Sequence, residues 1–173
     1  MSTQTDLWVD WDEYHQLIEK LALQIDASGW EFDRIVAIAR GGLRVGDVLS
    51  RVFQLPLEIV SASSYRGNAG TLQEDLVLSP SMAGTEGDLA GRVLLVDDLA
   101  DTGHTLVALL ESLKQRYVGI SEIRSACLWC KQRSVIKPDF VVADLSSDPW
   151  IHQPFERYDN MNIEDLRMGA QNS

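Results

Sequence analysis

Two stretches of this chain share one design: a short apolar run without internal charge, a turn that contains glycine, and then apolar residues at helical spacing. In the first, Arg34-Ile35-Val36-Ala37-Ile38-Ala39 ends at Arg40-Gly41-Gly42, and Val45, Val48, Leu49, Val52 and Phe53 give the next segment an amphipathic face. In the second, Val93 to Val96 ends at Asp97-Asp98, and a helix is expected over Thr105 to Tyr117 after Thr102-Gly103-His104. Apolar runs of this length, bounded by turns and alternating with helices, are buried strands of a mostly parallel sheet. The fold class that follows is α/β, a Rossmann-like sheet flanked by helices.

Other segments fit that plan. Trp11, Tyr14, Leu17, Ile18, Leu21 and Ile25 predict an early helix, with Asp10 as its N-cap and Gly29 closing it. Leu57 to Ala62, Ile123 to Trp129 and Phe140 to Ala143 read as further strands. A polar, glycine-containing stretch from about 66 to 91, with a possible short strand at Leu72 to Leu78, reads as a mobile surface loop of the kind that closes over ligands. With 173 residues, 45% of them apolar, and no linker or repeat, one domain is expected, its core spanning about 30–145.

Charge narrows the partners. Twenty-six acidic residues against 15 basic ones leave a formal net of -11, which disfavours a broad surface for nucleic acid or anionic membrane. No run reaches the roughly 18 apolar residues of a membrane span. Two cysteines and a polar, acidic N-terminus point to a reducing cytoplasm. Those cysteines, in Cys127-Leu128-Trp129-Cys130, are an odd number of positions apart on a strand. That spacing is poor for a disulfide or a shared metal, so both read as buried strand residues.

In parallel sheets ligands gather at the carboxyl ends of strands, which brings Arg40-Gly41-Gly42 and the Asp97–Thr105 loop to one edge. Arg40 carries a forked positive charge, and the glycines permit a sharp turn whose N–H groups face an anion. The loop Asp97, Asp98, Leu99, Ala100, Asp101, Thr102, Gly103, His104, Thr105 opens a helix, so its free N–H groups suit a terminal phosphate. Asp97 and Asp98 beside it can accept bonds from vicinal hydroxyls or hold Mg²⁺ directly or through water. A ribose 5-phosphate unit satisfies both halves. A P-loop and a dinucleotide fingerprint are both absent from the sequence. Lys131 and Trp150 fall near the same edge. Lys131 reads either as a surface lysine or as a reader of a carbonyl, and Trp150 either as a core aromatic or as a platform for a planar base.

The stretch VLLVDDLADTGHTL resembles the phosphoribosyl pyrophosphate loop of the type I phosphoribosyltransferases, and ARGG, SSY, Lys131 and WIHQPFE resemble the purine branch of that family. The resemblance implies a core sheet with a small hood built from terminal segments, at about 146–160. It implies binding of phosphoribosyl pyrophosphate by Asp97 to Thr105, with Asp101 as the proton acceptor near N7 of the base. Arg40, Gly41 and Gly42 would form the pyrophosphate loop, with a non-proline cis peptide at Arg40–Gly41. Ser64 and Tyr65 would belong to the closing loop, and Lys131, Trp150 and the Ile151 carbonyl would meet a 6-oxopurine. Mg²⁺ would lie near Asp97 and Glu156, and the protein would be a homo-oligomer, a dimer or tetramer. Two other functions stay open on the sequence: a sensor that binds phosphoribosyl pyrophosphate or nucleotides without turnover, and transfer to another base.

Overall fold

The computed structural model describes residues 6–65, 75–78, 83–84 and 89–171. In chain order the elements are β1 (Leu7–Trp8), α1 (Trp11–Ala27), β2 (Arg34–Ala39), α2 (Gly42–Phe53), β3 (Leu57–Tyr65), β4 (Asp75–Leu78) and β5 (Ala83–Gly84). They continue with β6 (Gly91–Val96), β7 (Leu99–Ala100), α3 (His104–Arg116), β8 (Ile120–Lys131), β9 (Phe140–Leu145), β10 (Ile151–His152), a 3-10 turn at Glu156–Tyr158 and α4 (Ile163–Gln171). They group into two compact units, Leu17–Asp148 and the terminal segments up to Gln16 and from Pro149 onward.

In the larger unit β3, β2, β6, β8 and β9 lie side by side and all pair in parallel. Short β7 continues beside β8 beyond the end of β6, and β4 and β5 add antiparallel pairing to β3. Numbering the five side-by-side strands in chain order gives 2-1-3-4-5, a doubly wound order. Its direction reverses between β2 and β6, and the crevice at their carboxyl ends is where such folds bind ligands.

The strands feed two layers because their side chains alternate. Val36, Ile38, Val93 and Leu95 form one buried cluster with Leu106, Leu109 and Leu113 of α3. On α2, a Cβ at Gly46 would stand 2.7 Å from the Ala37 Cβ, so this helix lies close against β2. Full burial of such side chains contributes about 1.5–3 kcal/mol each, enough to hold the strand ends that carry the site.

Several boundaries differ from the sequence reading. β3 runs on to Tyr65 instead of stopping at Ala62, because Ala62 to Tyr65 find antiparallel partners in β4. Ser64 and Tyr65 are therefore strand residues in backbone, not loop. β8 extends to Lys131, where β7 and β9 flank it on both sides. Leu99–Ala100, read as loop, is a strand fragment. The excursion at 66–91 lies largely outside the described residues; within it, Asp75–Leu78 is strand, and the first three residues of the expected Leu72–Leu78 strand lie outside the described residues.

Candidate active site

The turns after β2 and β6 touch at the switch point. A Cβ at Gly41 would fall 2.3 Å from the Asp98 Oδ1, and one at Gly42 would fall 2.4 Å from the Val96 carbonyl oxygen. No side chain larger than hydrogen fits at either position while the acids stay where they are. The cis peptide lies at Ala39–Arg40, one bond before the expected Arg40–Gly41. The Gly42 N–H, expected to face a bound anion, is directed at the Asp97 carboxyl group instead. Arg40 is exposed at the mouth of this turn.

Asp97 is anchored by its backbone. Its N–H donates to the Ala126 carbonyl at 3.0 Å, and its Oδ1 accepts the Asp98 N–H at 2.9 Å. Burial, with the adjacent Asp98 charge, pushes the Asp97 carboxyl well above the usual carboxylate range; the N–H bonds from Asp98 and Gly42 offset only part of this. Asp98 presents its own carbonyl to the N–H groups of Leu128 and Trp129, at 3.0 and 3.2 Å. These backbone bonds fasten the first half of the loop to β8.

Beyond β7 the loop makes a tight seat. Gly103, at φ +78°, is the N-cap of α3 and offers no side-chain cap. A Cβ there would be 2.5 Å from the Ser134 Oγ, so the backbone conformation and the space both require glycine. The uncapped first turn faces a cavity of about 90 Å³ lined by Asp97, Asp101, Thr102, Gly103 and Thr105 among others. That is room for about three waters, a size that suits a single phosphate group. Residues Ala100 and Gly103 are buried, whereas Thr102 and His104 are exposed.

Asp101 sits under two cations. Its Oδ1 accepts the Arg133 Nε–H at 2.9 Å and a second, shorter bond from the Arg133 guanidinium, and lies 3.1 Å from the Lys131 Nζ. Burial alone pushes this carboxyl up, but the hydrogen bonds and charges of Arg133 and Lys131 together outweigh it and hold the group below its ordinary value. Lys131 is only 6% exposed, which removes the surface-lysine reading. Cys127 and Cys130 are buried free thiols, as expected, and burial pushes the Cys127 thiol up, away from reactive thiolate.

The terminal unit holds the other residues singled out in the sequence. β1 and β10 pair in parallel, with Leu7 opposite Ile151 and Trp8 opposite His152. The Trp150 and His152 carbonyls accept from Leu7 and Val9, so the intervening Ile151 carbonyl points to the opposite edge of the strand. Trp8 stacks on His152 at 3.7 Å, and the His152 Nε2 meets the Asp6 Oδ2 at 3.0 Å. Trp150 is 61% exposed, so it is no core aromatic. With Trp8, His152, Glu156 and Arg157 it lines a cavity of about 580 Å³, ample for a planar bicyclic base.

Residues 10–160 match the phosphoribosyl transferase domain family. The chain belongs to that family. It is 34% identical over 149 residues to a xanthine–guanine phosphoribosyltransferase of Gluconobacter oxydans, covering 86% of this chain and 83% of the relative. A xanthine–guanine phosphoribosyltransferase of Idiomarina loihiensis is 33% identical over 156 residues, with 88% of each chain covered. The crystal structure of a purine phosphoribosyltransferase from Pyrococcus horikoshii superposes with a TM-score of 0.72 at 31% identity, covering 87% of this chain and 93% of that one.

For this phosphoribosyltransferase, the core unit brings together Arg40 to Gly42, Asp97 to Thr105 and Lys131. Trp150, Ile151 and Glu156 gather in the terminal unit. Arg133 was not singled out from the sequence. The only hint was its place two residues after Lys131 in the same turn, and its partner Asp101 is 32 positions away. Among the described residues no three Asp, Glu, His or Cys side chains gather as a ready metal cage, and no helix is long and apolar enough to cross a membrane.

Proposed function

We propose that this phosphoribosyltransferase transfers the ribose 5-phosphate of phosphoribosyl pyrophosphate to a 6-oxopurine, that is guanine, xanthine or hypoxanthine, releasing pyrophosphate in purine salvage. The observation that carries the reading is the divided loop after β6. Within nine residues it offers an uncapped helix start with a phosphate-sized cavity, a half-buried acid pair, and a third acid held by cations. The names of the two bacterial relatives support the choice of base, as do a buried Lys131 and an exposed Trp150.

In this mechanism the 5-phosphate seats at the start of α3, and Asp97 and Asp98 accept bonds from the ribose hydroxyls. N9 of the base attacks the anomeric carbon as the bond to the pyrophosphate oxygen breaks, its electron pair leaving with pyrophosphate. The proton on N7 passes to Asp101. Lys131 donates to the 6-oxo group, Trp150 stacks on the ring, and the Ile151 carbonyl accepts from a 2-substituent. Arg40 stabilises the leaving pyrophosphate.

Mg²⁺ suits this donor set. A half-buried acid beside a like charge is relieved by a divalent cation, and Mg²⁺ typically takes one or two carboxylates plus substrate oxygens. Asp97 would hold it, with Glu156 as the further carboxylate that the family pattern suggests. Bound there, it would neutralise charge on the departing pyrophosphate. We also propose one functional domain, a cytoplasmic location and a homo-oligomeric state, the last two following the family.

The test is pyrophosphate release with Mg²⁺, phosphoribosyl pyrophosphate and each of guanine, xanthine, hypoxanthine, adenine and uracil. Turnover confined to the first three is expected. Tight ligand binding without turnover of any base would make the protein a sensor, and turnover of uracil or adenine would move the base preference.

A further inference from the structure

Both hydrogen bonds from Arg133 to Asp101 fall on Oδ1, and the nearest approach of Lys131 is to the same atom, while Oδ2 accepts no hydrogen bond among the described residues. A carboxylate turns easily about its last torsion, so an acid held this way has one oxygen fixed and the other presented. The two partners are not equivalent. Lys131 is buried at the end of β8 and, on the reading above, turns to the 6-oxo group when a base arrives. Arg133 has no such second task in that scheme.

Arg133 is also mounted so that its grip is reproducible. The turn that carries it is bound to the phosphate loop: the Val135 N–H donates to the Thr102 carbonyl at 2.9 Å, and the Ser134 N–H to the Lys131 carbonyl at 3.0 Å. Gly103 leaves no room between that turn and the loop. A second acid, Asp148, also attracts the guanidinium, and its Oδ1 is buried without a hydrogen-bond partner among the described residues. Lys131 and Arg133 are the charged groups that act on Asp101, and Asp148 acts through Arg133.

We infer that Arg133 is a positioning residue for Asp101: it pins Oδ1 throughout the cycle, so that Oδ2 receives the proton leaving the base. The inference rests on the role of Asp101 proposed above. It also assigns Arg133 a part in setting the pH at which the acid is ready. Removing a cation from beside a carboxylate raises its proton affinity, so loss of Arg133 moves the acidic limb of kcat/KM to higher pH.

The experiment compares wild type, Arg133→Gln and Arg133→Lys from pH 3 to 8, with phosphoribosyl pyrophosphate and each 6-oxopurine. Arg133 is half-exposed, so neither substitution threatens the fold. For Arg133→Gln we expect kcat to fall about tenfold, the equivalent of one charge-assisted hydrogen bond. Its KM for phosphoribosyl pyrophosphate should stay within about twofold and its acidic limb should rise by about one pH unit. Added guanidinium ion should restore part of the rate. Arg133→Lys should keep most of the limb position without the rate, because an ammonium cannot bind one oxygen through a planar fork. An active wild type whose Arg133→Gln variant keeps its kcat and limb overturns the role of Arg133 alone. A lowered Tm with an unmoved limb makes Arg133 merely structural and overturns it too. A wild type inert toward every base removes the role of Asp101, and this inference with it.

Discussion

Asp97 and Asp101 lie four residues apart on one loop, in opposite electrostatic surroundings. At the β6 end, Asp97 is enclosed beside Asp98 and pushed toward the protonated form; at the α3 end, Asp101 is half-exposed and held ionised by Arg133 and Lys131. Two carboxylates whose surroundings drive their proton affinities apart are suited to different tasks. The enclosed one gains most from meeting a cation or hydroxyls, and the paired one is ionised and aimed over the working pH range. The difference teaches that a run of like charge can be built from parts that never act as a block.

The largest expected effect tests the α3 end. Asp101→Asn should lower kcat for pyrophosphate release by about 100-fold or more while titration calorimetry shows phosphoribosyl pyrophosphate binding nearly intact. If binding fell as steeply as turnover, Asp101 would be acting with Asp97, and the division of the loop would collapse. Next is the seat of Asp97. In Gly42→Ala the new Cβ would stand 2.4 Å from the Val96 carbonyl oxygen and 3.0 Å from the Asp97 Cα, all backbone. Thermal and urea unfolding should register a loss of about 1–3 kcal/mol, as for other overpacked sites. No loss would mean that the two turns give way easily and that Asp97 is not rigidly placed.

The same contrast explains what was readable in advance. Buried runs such as Ile35 to Ala39 and Val93 to Val96 announce parallel strands because their pattern is local, and the loop between Val96 and α3 announces itself through residue type alone. Contacts that depend on distant partners were not readable. β3 extends to Tyr65 because β4 pairs with it, and β8 reaches Lys131 because β7 and β9 flank it. The grip of Arg133 on Asp101 joins two loops that only the folded sheet brings together. Trp150 and Lys131 invert the simplest hydropathy rule, an exposed tryptophan and a buried lysine, and such inversions are common at functional sites.

The smallest effects, in stability against pH, have opposite signs for the two acids. Folded Asp97 holds its proton to higher pH than the unfolded chain does, so wild type loses stability as pH rises from about 4 toward the folded value. Asp97→Asn escapes that loss. Its Tm should match wild type near pH 4 and exceed it at pH 7–8 by about 2–4 °C, the response of a chain of this size to roughly 1 kcal/mol. Asp101 is the reverse case. Its lowered proton affinity adds stability above the unfolded value of about 4, and that stability disappears as pH falls through the folded value. Asp101→Asn should therefore melt below wild type at pH 7 and converge with it in acid. The gap should stay under about 1 kcal/mol, since water screens a carboxylate this exposed. Melting curves for both variants from pH 3 to 8 decide the matter, because two shifts of the same sign would show that Asp97 and Asp101 share one environment after all.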